Sequence, residues 1–316
     1  MMYFWLILGL LTLVFSGEFL VRGAVGIAKK FQISTLVIGM TVISFGTSAP
    51  ELIVSINAAL SGHPEIAIGN VIGSNIANLA LVLGITVLIL PMVVDRNTKR
   101  IDYPMMLLAT MLFAVFALDG IIVFYEGVIL FTILVTFTIL LIRNSRKKTK
   151  LLAAATNADG EIQSIQMNMF QATGYLALGL VGLYFGAGWL VDGASSIAIH
   201  FGMEERVIGV TVVAFGTSAP ELITSAVAAY RKEADISIGN LIGSNIFNIM
   251  AVIGITAMVS PIAVSEVTIH TDLIWMIAIA LSLLPMMLIG KKIGRLKGVM
   301  LLSSYIVYIS LLLLTF

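Results

Sequence analysis

Phe45–Ile53 reads FGTSAPELI, and Phe215–Ile223 reads the same nine letters. In each copy a glutamate, Glu51 or Glu221, stands near the middle of an apolar run long enough to cross a bilayer. Ionisable side chains are expensive there and mark function by default. Pro50 and Pro220 directly precede them. A proline has no N–H and crowds the carbonyl four residues back, so the carbonyls of Gly46 and Gly216 should lose their helical partners and the helix should bend. Inside a membrane such carbonyls need another partner. Glycine, two hydroxyls, proline and carboxylate thus gather hard oxygen atoms where an apolar helix opens its backbone, which suits a hard cation such as Ca²⁺ or Na⁺.

The rest of the chain is built to carry these two stretches. Of its 316 residues 59% are hydrophobic and only 11% charged, with a mean hydropathy of +1.07. A soluble domain carries roughly a quarter charged residues, so the composition indicates an all-α polytopic membrane protein. Apolar runs between short polar breaks predict ten transmembrane helices, near residues 3–28, 35–60, 66–91, 103–120, 124–143, 168–198, 206–230, 236–260, 271–290 and 297–315. The absence of cysteine excludes disulfides and thiolate metal sites. The first apolar run lacks a basic leader and a small-residue cleavage site, so it is expected to stay as a span.

Glu221 follows Glu51 by 170 positions, and the same shift superposes Gly9 on Gly179, Gly23 on Gly193, Gly69 on Gly239 and Pro91 on Pro261. Two five-helix halves follow, residues 1–143 and 168–316, joined by a polar linker over 144–167. Five is odd, so the second half should enter the membrane from the opposite side, giving an inverted repeat. Lys29, Lys30, Arg96, Lys99, Arg100, Arg143 to Lys150, Arg231, Lys232 and Lys291 to Lys297 then gather on one side, against Arg206 on the other. The positive-inside rule makes that side cytoplasmic and places both termini outside, in a multi-pass protein of the plasma (inner) membrane.

Ser44, Thr47, Ser48, Glu51 and Ser55 recur at three- and four-residue spacing and form one polar stripe. The second half repeats it as Ala214, Thr217, Ser218, Glu221 and Ser225. A second block, IGNVIGSNIAN (Ile68–Asn78), returns as IGNLIGSNIFN (Ile238–Asn248) and places Ser74 with Asn78, and Ser244 with Asn248, on shared faces. The glycines Gly69, Gly73, Gly239 and Gly243 should let these helices approach closely. Small residues and hydroxyl pairs are also ordinary glue between membrane helices. The glutamates alter that balance, because no lysine or arginine lies at their depth in either half and their partner must be a cation or a proton. Glu18 and Arg22, four apart, suit an intrahelical ion pair. With no histidine near Ser48 or Ser218, a serine-type intramembrane enzyme lacks its base.

At these residues the chain resembles the sodium/calcium exchanger family, whose two repeats carry GTSxPE and GSNxxN/D motifs, and the likeness spans the whole sequence. The resemblance implies that the helices bearing the motifs form the ion-binding core while the first and sixth helices form a gating pair that slides across it. It also implies a calcium site of Glu51 and Glu221 with the carbonyls of Thr47 and Thr217. Sodium sites would draw on Ser48, Ser74, Ser218, Ser244 and Asn78, with the backbone at Ser44 and Ala214. Some relatives have aspartate where this chain has Asn248, and asparagine in both halves speaks against potassium co-transport. The expected partners are Ca²⁺ and Na⁺ as transported substrates and the lipid bilayer, with no cofactor, nucleic acid or obligatory protein partner. Calcium/proton antiport stays open, since a buried carboxylate can exchange a cation for a proton, although the cation/proton branch of the superfamily lacks the GTSxPE signature. A passive cation channel is the rival from another class.

Overall fold

A computed structural model describes residues 2–156, 167–202, 214–290 and 292–314. Long runs of Leu, Ile, Val and Phe wind into helices that satisfy their own backbone, as hydrocarbon demands. In chain order these are α1 (Met2–Phe31), α2 (Thr35–Thr47), α3 (Ala49–Leu60), α4 (Pro64–Ile89), α5 (Thr98–Ala117), α6 (Phe124–Thr156), α7 (Met169–His200), α8 (Ala214–Thr217), α9 (Ala219–Tyr230), α10 (Ala234–Val259), α11 (Thr268–Leu288) and α12 (Arg295–Leu314). Among the described residues eight helices are long and apolar enough to cross a membrane, and α2 with α3 makes a ninth candidate bent by 42°. The chain is an integral, multi-pass membrane protein. The first part of the span expected over 206–230 lies outside the described residues, as does Arg206, and its described remainder is α8 and α9.

Two expectations change in detail. The helix predicted over 124–143 continues to Thr156, because Arg146, Lys147 and Lys148 are good helix formers; the first part of the expected linker is therefore helical, and residues 157–166 of it lie outside the described residues. The run at 35–60 is broken, not merely bent. Ser48 leaves the helical region at φ −89° and ψ 4°, and Pro50 falls in the first turn of the new helix α3, where its missing N–H does no harm. Ser218, at φ −86° and ψ 1°, and Pro220 repeat this at the start of α9.

α1 and α7 pack along their length as an antiparallel pair. A side chain on Gly9 would meet the Leu190 backbone at 2.5 Å, and one on Gly23 would meet the Leu176 backbone at 2.5 Å. Residues late in α7 thus lie against residues early in α1, and the two backbones touch where only glycine fits. α4 and α10 occupy the centre, walled by α5, α6, α11 and α12, whose side chains share one apolar core with theirs. Ile121–Ile122 pairs antiparallel with Ile262–Ala263, and Met92 bridges to Ile293. These links tie the loop after each central helix to the opposite half of the chain.

Candidate functional site

The core of the site is where the two broken helices meet the two central ones. The break at Ser48 sets Glu51 in the first turn of α3, and the break at Ser218 sets Glu221 in the first turn of α9. A helix N-terminus favours a carboxylate, while the last carbonyls of the preceding segment present partial negative charge. Both glutamates are fully buried. They also lie within electrostatic range of each other. Among the described residues neither oxygen of Glu51 finds a hydrogen-bond partner, nor does Oε2 of Glu221.

The surrounding contacts cross between the halves. The Ser48 hydroxyl donates to Glu221 Oε1 at 3.3 Å. Thr47 Oγ1 lies 3.3 Å from Asn240 Oδ1 and 3.4 Å from Ser244 Oγ. The Ser44 hydroxyl reaches the carbonyl of Gly39 at 2.7 Å and that of Asn240 at 3.0 Å. Ser74 stands beside Glu51. The motif of the first half is thereby held against the GSN block of the second.

Each central helix widens to an i→i+5 turn beside the site, over Ala77–Val82 in α4 and Asn248–Ile253 in α10. Such turns commonly accompany functional positions. Asn78 lies within the first and Asn248 opens the second, and both are fully buried. They are used differently: Asn248 Nδ2 donates to Asn75 Oδ1 at 3.2 Å, whereas neither polar atom of Asn78 has a partner among the described residues. Ser218 Oγ and Asn248 Oδ1 are likewise buried without a partner. Thr217 is half-buried, and Ala214 opens α8.

Buried polar atoms are nearly always satisfied. Here the orphaned oxygens of Glu51, Glu221, Asn78, Ser218 and Asn248 lie on the two repeated motifs, while those of Asp102, Thr224, Ser237 and Thr256 lie outside them. The donor set is entirely hard oxygen, which fits Na⁺ or Ca²⁺ and not a softer metal. Among the described residues no three His, Cys, Asp or Glu side chains come together to hold a metal. A cation in the core would therefore rest on two carboxylates completed by hydroxyl, amide and carbonyl oxygens.

Close packing at the site is explicit in the second half. A side chain on Gly239 would meet Leu36 O at 2.4 Å, and one on Gly243 would meet Ser44 Oγ at 2.3 Å. No described atom lies within 4 Å of the corresponding position at Gly69 or Gly73. The repeat equivalents of Leu36 and Met40 are Arg206 and Val210, outside the described residues.

Sequence reasoning passed over Asn70 and Asn240, the third letters of the repeated IGN. Asn70 Nδ2 donates to the Glu51 carbonyl at 3.2 Å and to Ser55 Oγ at 3.0 Å; Asn240 Nδ2 donates to Ser225 Oγ at 3.1 Å. Their recurrence at the same shift of 170 was the available signal. A cavity of about 360 Å³ reaches the breaks, lined by Pro50, Gly216 and Thr217 and by Tyr184, Trp189 and Asp192 of α7.

Likeness to known proteins extends over nearly the whole chain. The family model for sodium/calcium exchanger protein matches residues 1–143 and 171–314. The chain is 33% identical to sodium/calcium exchanger MaX1 of Methanosarcina acetivorans over 97% of each chain. It is 32% identical to inner membrane protein YrbG of Escherichia coli K12, over 97% of this chain and 95% of that one. Its fold matches the solved sodium-calcium exchanger NCX_Mj with a TM-score of 0.85 at 33% identity, covering 98% of both chains.

Proposed function

Because the chain belongs to the sodium/calcium exchanger protein family, we propose that it is a secondary antiporter that exchanges Na⁺ for Ca²⁺ by alternating access and extrudes Ca²⁺ at the expense of the Na⁺ gradient. The observation that carries this reading is the pair of fully buried glutamates, Glu51 and Glu221, with three carboxylate oxygens lacking any partner among the described residues. Two such charges in low dielectric are costly until a cation joins them. Ca²⁺ binds to Glu51 and Glu221 with the carbonyls of Thr47 and Thr217. Sodium ions compete for neighbouring oxygens on Ser48, Ser74, Ser218, Ser244, Asn78 and Asn248, with backbone oxygens at Ser44 and Ala214.

The same electrostatics accounts for obligatory exchange. A core of charge near −2 is penalised in any closed intermediate, whereas a loaded core can pass. The empty carrier stalls, and the occupied one switches.

The architecture proposed for this cycle is ten spans in two inverted five-helix repeats, residues 1–143 and 168–316. Three observations support it: α3 and α9 match at a shift of 170, the helices that lead each half, α1 and α7, run antiparallel, and the motif of each half packs on the other. The clustered basic loops support an inner-membrane orientation with both termini outside. The cavity at Thr217, on the side away from those loops, is then the outward approach to the site.

The test is uptake of radioactive calcium by liposomes holding the purified chain, loaded with sodium and diluted into sodium-free buffer. Uptake that follows the sodium gradient is expected. Uptake driven by a pH gradient with no sodium present would replace this reading with calcium/proton antiport, and ohmic single-channel currents would replace it with a channel.

A further inference from the structure

A second cavity, mainly apolar in its walls but edged by carboxylates, lies apart from the exchange core. It measures about 650 Å³ and opens at the basic-loop end of the molecule, between the start of α2, the start of α5, α6 and the start of α10. Asp95 and Asp235 stand exposed on its rim, and Asp102, in the wide first turn of α5, lies buried at its floor. Asp95 is close enough to both of the others for its charge to act on them. Lys148 is the one cation among the described lining residues. Three carboxylates against one ammonium leave a charge near −2 facing the cavity.

Asp102 is the informative member. It is 2% exposed, and its Oδ2 has no hydrogen-bond partner among the described residues. The Asp102 carboxyl is bonded within its own turn by Thr98, whereas its repeat equivalent, Asp272, accepts at Oδ1 from the Tyr308 hydroxyl of another helix at 3.3 Å. The residue equivalent to Tyr308 in the first half is Thr138, a much shorter side chain. The same position in the fold is thus reached by a phenol from another helix in one half, and in the other is held by Thr98 with its second oxygen beside a cavity.

We propose that Asp95, Asp102 and Asp235 form a site for a hydrated divalent cation at the mouth of the molecule, separate from the exchange core. No three acidic or imidazole side chains among the described residues converge to hold a bare metal, so the ion keeps water between itself and most of its ligands. The cavity has room for that shell, since a water molecule takes about 30 Å³. Hard oxygens and net negative charge select a hard cation. The site lies at the far end of the elements that carry the core: Asp235 precedes Ser244 by nine residues on α10, or about 13 Å along the helix. On the exchange reading, which this role rests on, an ion held there is concentrated where it enters or leaves on the basic side.

The test uses the full chain in detergent with Glu51→Gln and Glu221→Gln together, titrated with Mn²⁺ alone and followed by loss of the free-ion paramagnetic resonance signal. One weak Mn²⁺ site should remain, and adding Asp102→Asn should weaken it about tenfold. Asp95→Asn, on the exposed rim, should weaken it in the same direction and serves if the buried variant does not fold. Asp272→Asn should leave binding unchanged. The proposal is overturned if the Glu51→Gln, Glu221→Gln protein binds no Mn²⁺, if Asp102→Asn or Asp95→Asn has no effect, or if Asp272→Asn weakens binding equally. Loss of all binding in that background while the parent chain binds one ion would leave the exchange core standing. Equal binding by both proteins would count against the core and not against this site.

Discussion

The hydroxyl of Ser48, in the first half of the chain, lies 3.3 Å from Oε1 of Glu221 in the second. This contact joins the break of one broken helix to the first turn of the other, so each acidic side chain is positioned partly by the opposite half. A hydrogen bond to a charged group contributes about 1.5–3 kcal/mol. Ser48→Ala should therefore raise the sodium concentration for half-maximal exchange about tenfold while the protein still folds, because the substitution only removes a hydroxyl. Sodium dependence of calcium uptake in liposomes measures this, and an unchanged half-saturation would remove Ser48 from the site.

Glu51 carries two buried oxygens without a partner among the described residues, and this has opposite consequences for transport and stability. Glu51→Gln should abolish sodium-driven calcium uptake, by a hundredfold or more. In cation-free buffer the same change should raise the thermal midpoint, because it removes one of two mutually repelling buried charges. Calcium should stabilise the parent chain by mass action and the variant far less, only as much as a weak second site at Asp95, Asp102 and Asp235 supplies. Thermal melts with and without calcium decide the matter, and a calcium shift of undiminished size after the substitution would place the ion elsewhere.

Asn70 should act on transport by positioning Glu51, not by contact with an ion. Its amide holds both the Glu51 carbonyl and Ser55 Oγ, fixing the first turns of α3 against α4. Loss of two hydrogen bonds costs about 1–3 kcal/mol, so Asn70→Ala should slow exchange ten- to a hundredfold. Asn70→Asp keeps the oxygen but loses the donors and should not rescue it, whereas Asn70→Gln should recover part of the rate. A rate lost without change in the thermal midpoint separates positioning from folding; equal damage by Ala and Gln would argue for a packing role alone.

The broad fold was legible because hydrocarbon permits so little. Apolar runs of the right length must be helices, and the nine-letter repeat with its constant shift announced two related halves. Glu51 and Glu221 stood out for the same reason, since charge at that depth needs a purpose. Composition could not reveal that Pro50 would start a new helix at a break and not kink a continuous one, because that depends on whether Ser48 finds partners outside the helical region. Nor did it reveal the unequal use of the paired asparagines. Asn75 bonds Asn248 at 3.2 Å, while its repeat equivalent Asn245 turns back to the Leu241 carbonyl at 2.8 Å and leaves Asn78 open. Identical letters in two halves do not fix which hydrogen bonds form when the halves face different neighbours.

That inequality extends to an ion cluster linking α1 to α9. Glu18 accepts from Arg22 Nε at 2.7 Å, as the four-residue spacing predicts, and also pairs with Arg231 at the end of α9. The repeat equivalents are Gly188, Asp192 and Ser61, which cannot form such a tie. It therefore holds α1 to the helix bearing Glu221 on the basic side alone, in a state whose cavity reaches Thr217 from the other side. The side chains are a quarter to nearly half exposed, at 25% for Glu18, 33% for Arg231 and 46% for Arg22, so the tie contributes no more than about 1 kcal/mol. That corresponds to roughly a fivefold shift between two access states. Glu18→Gln should depopulate the present state, weakening apparent calcium affinity on the face away from the basic loops by up to fivefold and strengthening it on the basic face. Half-saturation measured from each side of oriented vesicles reads both numbers. The difference should shrink at high ionic strength, where exposed charges are screened, and equal affinities on both faces at low salt in variant and parent would show that the cluster does not bias access.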